Sequence, residues 1–171
     1  GNTLGNSLRR VLLSSIPGSA VTAVKLDGVQ HEYSTIEGVS DDVLAIILSL
    51  KNVVVNLKTL ESQTLEINVK GKEGTVTEVK ASDIEKNSNV EIINPNYVIT
   101  TLTGAKSKLK AEITVERGTG FKVGDNNLRK EIGVLPVDAN FSPVKLVTFN
   151  VLPARVGQET ELDQLEIEIV T

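Results

Sequence analysis

Apolar residues recur at helical spacing at the start of the chain. A helix can begin at Asn2 or Thr3, since both side chains can cap a helix, and it must end at Pro17-Gly18. At 100° per residue, the residues that fall within about 80° of Leu4 on the helical wheel are Leu8, Val11 and Leu12. This face is the predicted buried face of the helix.

The opposite side of this first helix carries Arg10 and Leu13, three positions apart. A leucine beside an arginine on an outer face is unusual for a lone helix. It is either a scattered surface leucine, which is common, or part of a second contact face for a partner. The pattern alone leaves both interpretations open.

A second helix is predicted from Ser40. Ser40 is a good N-cap, and Asp41 and Asp42 suit the positive end of the helix dipole. Lys51-Asn52 closes the helix with a base at its negative end. Its predicted buried face consists of Val43, Ile46, Ile47 and Leu50.

Most of the remaining chain alternates between apolar and polar residues, which predicts half-buried antiparallel strands. One strand is predicted over Ala20–Leu26, with Ala20, Thr22, Val24 and Leu26 on one side and a turn at Asp27-Gly28. The other strand-like stretches are His31–Val39, Val53–Leu57, Leu65–Val69, Leu109–Val115, Val147–Val151 and Leu165–Ile169. The predicted fold class is α+β, with about two helices and seven to nine mostly antiparallel strands.

Charge is distributed unevenly over the 171 residues. The net charge is −4, and all of it comes from residues 154–171, so that residues 1–153 hold 17 bases and 17 acids. With equal numbers of acids and bases, residues 1–153 lack the excess of positive charge that a protein needs to bind the phosphate backbone of a nucleic acid. Autonomous nucleic-acid binding is therefore not expected.

Composition narrows the chemistry further. The chain contains no Cys, which excludes disulfides, thiol catalysis and zinc ribbons, and a single histidine, His31, which excludes a His-rich metal site. No apolar run approaches a transmembrane helix and no signal peptide is visible, so a soluble protein inside the cell is expected. Because the chain contains no Met, we expect it to be part of a longer or processed protein.

A search for an active site finds none that is convincing, and no cofactor is predicted. Asp41 and Asp42 are paired carboxylates, but helix capping accounts for them. The glycines of Arg117–Gly124 come close to a dinucleotide fingerprint, with spacing one residue too long and no clear helix after them. A glycine-rich bend is the better interpretation. Residue chemistry alone indicates a binding or scaffold module.

Four sequence blocks, in order along nearly the whole chain, resemble the α subunit of bacterial-type RNA polymerase. The first is Gly1–Ser15 (GNTLGNSLRRVLLSS), and the second is Asp27–Thr35 (DGVQHEYST) with Glu37-Gly38-Val39. The third is Glu116–Phe121 (ERGTGF). The fourth is Pro136–Val144 (PVDANFSPV), followed by Arg155-Val156, Thr160 and Leu162-Asp163.

The resemblance implies the amino-terminal assembly domain of that subunit. A discontinuous dimerisation subdomain would comprise 1–17 and 145–171, with a β-rich subdomain, 18–144, inserted in it. Members of the family also carry a strand before the first helix, a helix after the last strand, and a carboxy-terminal domain that contacts DNA. Val123–Glu131 is shorter than the family pattern leads us to expect.

The implied role is scaffolding without a catalytic site: two copies dimerise and recruit the β and β′ subunits of the nucleotidyltransferase complex. Leu4, Leu8, Val11 and Leu12 would supply core and dimer contacts. The positions that match β contacts are Arg9, Arg10, Leu13, Glu32, Tyr33, Ser34, Thr35, Glu37 and Gly38. Lys51 and Val137 match positions linked to β′.

Two other functions are weighed against this one. A general α+β homodimerisation module would share the scaffold but leave the Arg10 and Leu13 face unused. An enzyme would need a concave pocket that joins His31 and Glu32 to the Gly118–Gly124 bend. The resemblance is compatible with the bacterial cytoplasm and with the plastid stroma, and it implies no membrane partner and no nucleic acid bound through this domain.

Overall fold

The computed structural model describes residues 2–124, 133–143, 146–156 and 159–171. It is α+β, as predicted, with helices α1 (Asn2–Ser14) and α2 (Val43–Lys51) and a short 3-10 turn at Ala81–Asp83. The strands of the described residues are β1 (Pro17–Leu26), β2 (Val55–Leu57), β3 (Gln63–Lys70), β4 (Val76–Lys80), β5 (Val90–Ile92), β6 (Val98–Thr103), β7 (Lys108–Thr119), β8 (Phe121–Lys122), β9 (Val134–Pro136), β10 (Ala139–Asn140), β11 (Leu146–Val156) and β12 (Glu159–Val170).

There are more strands than the seven to nine expected, because five of those found have three residues or fewer. Alternation cannot be detected over so short a stretch. One expectation extends beyond the described residues, the short stretch Val123–Glu131.

The central sheet has the order β3-β7-β1-β9, and its pairs are antiparallel. The alternation predicted for β3 and β7 is confirmed, because Leu65 and Ile67 are buried, as are the four apolar residues of β7 from Leu109 to Val115. The face of α2 predicted to be buried is confirmed as well, and it completes the aliphatic core over this sheet.

The side assignment predicted for β1 is wrong in its first half. Val24 and Leu26 are buried, but Val21 is buried as well, while Ala20 and Thr22 are only half-buried. The cause is a register shift between Val21 and Ala23 in the pairing with β7. An extra residue at a bulge reverses the alternation on either side of it.

The stretch His31–Val39 is not a strand. It forms turns, with an isolated bridge from Val39 to Leu102, although its side chains still alternate between exposed and half-buried. Gly38 has φ +78°, a left-handed conformation that interrupts extended backbone. Local bonding such as Ser34 N–H to the His31 carbonyl (3.3 Å) completes the turns.

The N-cap of α2 is Asp42, not Ser40. The Asp42 Oδ1 accepts the N–H of Ala45 at 2.8 Å. The two residues before it bond across to β6: the Ser40 hydroxyl lies 2.7 Å from the Thr101 hydroxyl, and the Thr100 hydroxyl donates to Asp41 Oδ2 at 2.7 Å. The stretch thus contains three residues that can cap a helix, and the sheet engages two of them.

We expect Asp42→Ala to lower the free energy of unfolding by about 1 kcal/mol, because the Ala45 N–H loses its acceptor. Asp42→Asn keeps an acceptor oxygen and serves as the matched control. Urea denaturation followed by circular dichroism measures both. Equal losses for the two variants would contradict the assignment of this cap.

The first helix lies against the last two strands. β11 and β12 form an antiparallel hairpin in which Val147, Phe149 and Val151 stand opposite Ile169, Ile167 and Leu165. Opposite residues share a face, so the two apolar sets predicted for these strands form one surface. α1 packs on β11, and a Cβ added at Gly5 would collide with the Phe149 ring. The absence of a side chain at Gly5 thus permits the close approach of helix and hairpin.

Candidate functional site

The apolar face predicted for α1 is divided in the structure. Leu8 and Leu12 are half-buried, whereas Leu4 and Val11 remain 57% and 54% exposed. The contact with the hairpin is centred on Gly5, which lies about 100° from Leu4 around the helix. Leu4 and Val11 therefore form a separate aliphatic stripe beside the packed face.

Arg9 has a role within the chain itself. Its Nε donates to the Val147 carbonyl of β11 at 3.2 Å, which ties the helix to the hairpin. Arg9 is four residues after Gly5, so both lie on the packed face. Part of its guanidinium is therefore engaged before any partner is present.

Arg10 points away from that contact. Its side chain is exposed, and Leu13, three residues on, is half-buried. The Arg10 carbonyl accepts the Ser14 hydroxyl at 2.6 Å, which bonds the last turn of the helix to itself. The structure thus places an available guanidinium and an aliphatic side chain side by side on the outer face of α1.

The loop 31–39 is fixed at both ends by backbone hydrogen bonds. The Ser34 carbonyl accepts the Val43 N–H at 3.0 Å, and the Gly38 carbonyl accepts the Thr103 N–H at 2.8 Å. Tyr33, Thr35 and Glu37 are exposed, while Glu32 is half-buried. The Tyr33 ring lies 6.5 Å from the His31 ring. This loop is anchored on α2 and β6, whereas α1 is anchored on β11.

Lys51 and Val137 differ in what they offer a partner. Lys51 is exposed in the last turn of α2. Val137 is only 4% exposed and belongs to the core, and its N–H donates to the Thr22 carbonyl at 2.9 Å. The Val137 side chain therefore packs within this chain, and Lys51 alone of the two presents its side chain at the surface.

Sequence reasoning missed two features of these surfaces. The first is the Gly5–Phe149 contact, because a helical wheel gives no weight to glycine. The second is the outer face of α2, where Leu44 and Leu48, which lie outside the predicted buried face, are exposed one turn apart.

The parts of the hypothetical enzyme site are not brought together. A groove of about 530 Å³ opens beside Gly118 and Thr119, and neither His31 nor Glu32 lines it. Among the described residues, no three His, Asp or Glu side chains are grouped as metal ligands would be. Of the two described helices, the longer has 13 residues, fewer than a membrane-spanning helix needs.

Comparison with known proteins agrees with the resemblance in the four blocks. Residues 24–142 match the family model described as the RNA polymerase Rpb3/RpoA insert domain. The DNA-directed RNA polymerase subunit alpha of Bacillus velezensis is 48% identical over 173 residues, an alignment that covers 100% of this chain and 54% of that protein. The chain thus spans about half the length of this relative.

Proposed function

This chain belongs to the family of RNA polymerase α subunits, and we propose that it serves as a non-catalytic scaffold for assembly of DNA-directed RNA polymerase. In this proposal two copies dimerise and recruit the β and β′ subunits. The observation that carries it is that α1 has two surfaces that do not pack on its own hairpin. One is the aliphatic stripe of Leu4 and Val11, and the other is the outer face with Arg10 and Leu13.

The aliphatic stripe of Leu4 and Val11 is the proposed dimer surface. Ile167 and Ile169 on the hairpin against which α1 lies are also exposed, so apolar side chains of the helix and of β12 remain uncovered. Contiguous exposed apolar surface marks protein contact sites. Burial of these side chains against a second copy would remove them from water, and Leu8 and Leu12 would support them from the core side.

The outer face of α1 is the proposed β contact. An arginine beside a leucine combines a forked donor with an apolar anchor, and arginine is enriched among residues that dominate interface energies. The exposed side chains of the loop 31–39 extend the proposal to Tyr33, Thr35 and Glu37. For β′ we propose Lys51, while Val137 would act by packing the core beneath the surface.

The proposed subdomains are 1–17 with 145–171 for dimerisation, and 18–144 inserted between them. Two observations support this division. The family match at 24–142 lies inside the insert. The packing of α1 on β11 brings the two proposed dimerisation segments together. We propose the bacterial cytoplasm as the location, in keeping with the bacterial relative.

The test of this function is Arg10→Ala in the full-length subunit. We expect the Kd for the β subunit to rise about 30-fold, since truncating an interface arginine of this kind costs about 2 kcal/mol. The fold is expected to persist, because the Arg10 side chain is exposed and the hydrogen bond that the Arg10 carbonyl accepts from Ser14 is retained by alanine. Titration calorimetry gives the affinity, and light scattering gives the mass of the dimer.

Lys110→Ala is the matched control, since Lys110 is an exposed base near the start of β7. If the Arg10→Ala protein were unfolded, this would contradict the claim that Arg10 acts at a contact with the β subunit and not in the fold of its own chain. A folded dimer that binds β as well as the control does would remove Arg10 from the contact, and an unmutated dimer that binds no β would favour the homodimerisation module instead.

A further inference from the structure

Strand β7 extends beyond its neighbour β3. The pairing of the two runs from Lys70 opposite Lys108 to Gln63 opposite Val115, and β7 then continues to Thr119. On its other side β7 is paired with β1 as far as Thr119. Among the described residues, Glu116–Thr119 therefore has a strand neighbour on one side only.

The chain before β3 turns away from this edge. The Glu61 carbonyl accepts the Thr59 hydroxyl at 3.2 Å and the Gln63 side-chain amide at 3.5 Å, so that residues 59–63 fold on themselves. The space left beside β7 is the groove of about 530 Å³. The groove is lined by Leu60, Ser62, Glu116, Arg117, Gly118, Thr119, Lys122 and Phe141.

The chemistry of the groove defines what would fit it. Leu60 is 87% exposed on its wall and supplies the apolar surface of the groove, whereas Phe141 at its base is only 5% exposed. Glu116 is neutralised by Lys122, with Nζ and Oε2 3.8 Å apart. Arg117 is exposed and forms no ion pair with any described residue. A ligand for this groove would carry an apolar group and a carboxylate.

The groove adjoins the proposed β contact. A Cβ placed at Gly120 would lie 3.5 Å from the Ser14 carbonyl, so the bend after β7 touches the end of α1. Arg10 and Leu13 belong to the last turns of that helix. A partner that covers the outer face of α1 therefore lies close to the bend that directly follows Glu116–Thr119.

We propose that Glu116–Thr119 is a strand-addition site for an extended acidic segment of the β subunit. The segment would hydrogen-bond to the backbone edge of β7 that has no described strand neighbour, place an apolar side chain against Leu60, and pair a carboxylate with Arg117. Addition to a sheet edge derives affinity from the main chain and specificity from such side-chain positions. Four residues of edge accommodate about 13 Å of extended chain.

This inference rests on the proposed function and is tested beside it in the full-length subunit. Arg117→Glu and Leu60→Asp are expected to raise the Kd for β tenfold or more by reversing the charge and the polarity of the groove. Lys110→Glu is the matched control, an equal charge reversal on the paired part of the same strand. Circular dichroism and the dimer mass check the fold of each variant.

Arg10→Ala, measured in parallel, separates the two proposals. If Arg10→Ala weakens β binding and the groove variants behave like the control, strand addition is overturned and the scaffold function stands. If none of the variants weakens binding, strand addition and the Arg10 contact are both overturned, and a subunit that binds no β even without substitution overturns the scaffold function itself. Weakening by the groove variants alone supports strand addition and removes Arg10 from the contact.

A photo-cross-linking amino acid at Leu60 identifies the occupant. In the assembled enzyme we expect a cross-link to an extended segment of β with at least one acidic side chain near the site of attachment. Cross-linking to β′ or to the second α copy, or to a helical segment of β, would overturn the proposed occupant.

Discussion

Ile67→Ala is expected to lower the free energy of unfolding by about 3 to 4 kcal/mol, as large aliphatic truncations in well-packed cores do. Ile67 is fully buried on β3, directly opposite Ala111 of β7. Its backbone also bridges to Ile84. Because Ala111 is too small to fill the space that Ile67 vacates, the variant keeps a cavity in the core.

Val76→Ala is the matched control for this truncation. Val76 lies on β4 and is 66% exposed, so its loss should change the free energy of unfolding by no more than about 0.5 kcal/mol. Urea denaturation at constant pH compares the two. A loss below about 1 kcal/mol at Ile67 would contradict a rigid core around it.

Gly71→Ala is expected to cost about 2 to 3 kcal/mol, because an added methyl group has no space. A Cβ at this position would collide with the Ser107 hydroxyl and the Gly104 carbonyl. The Gly71 N–H donates to the Ser107 carbonyl at 2.8 Å, which holds the two loops backbone to backbone. Ser107 is itself buried, and its hydroxyl donates to the Gly104 carbonyl at 2.7 Å.

Gly74→Ala separates this collision from simple backbone strain. Gly74 has φ +73° and nothing near its Cβ position, so alanine there should cost about 1 kcal/mol. In a double-mutant cycle, Ser107→Gly should recover part of the Gly71→Ala loss, with a coupling of about 1 kcal/mol. Additive losses would place the cause elsewhere than the contact with Ser107.

The sequence predicted the core well because burial follows simple periods. In β3, β7 and α2 the apolar residues are the ones that avoid water. They recur every two residues along a strand and about every 3.6 residues along a helix, so the buried face can be identified from the sequence. The correct prediction for β7 extends over its four apolar residues from Leu109 to Val115.

The errors arise where a contact distant in sequence decides the outcome. The bulge at Thr22 shows only in the pairing with β7, and Asp42 rather than Ser40 caps α2 because β6 engages Ser40. The His31–Val39 stretch alternates like a strand, yet backbone bonds to Val43 and Thr103 hold it in turns. None of these partners can be read from the local pattern.

Residue chemistry alone predicted less of the candidate site than of the core. The position of Arg10 and Leu13 on the outer face of α1 followed from the helical wheel, but their role came only from the resemblance to a family. The groove beside Glu116–Thr119 was not foreseen, because it depends on where β3 ends, and that end is set by the folding of residues 59–63.

The hydrogen bond from Arg9 to Val147 spans 138 positions of sequence, and it has a consequence for synthesis on the ribosome. Domains form from the amino-terminal end as the chain emerges, at about 5 to 20 residues per second. α1 leaves the ribosome well before the hairpin does, so it has nothing to pack against until β11 has followed. The central sheet, whose strands lie between them, can close before that moment. The helix that carries the proposed contacts is thus seated only after the central sheet has been translated, and a nascent chain cannot offer a completed docking surface before then.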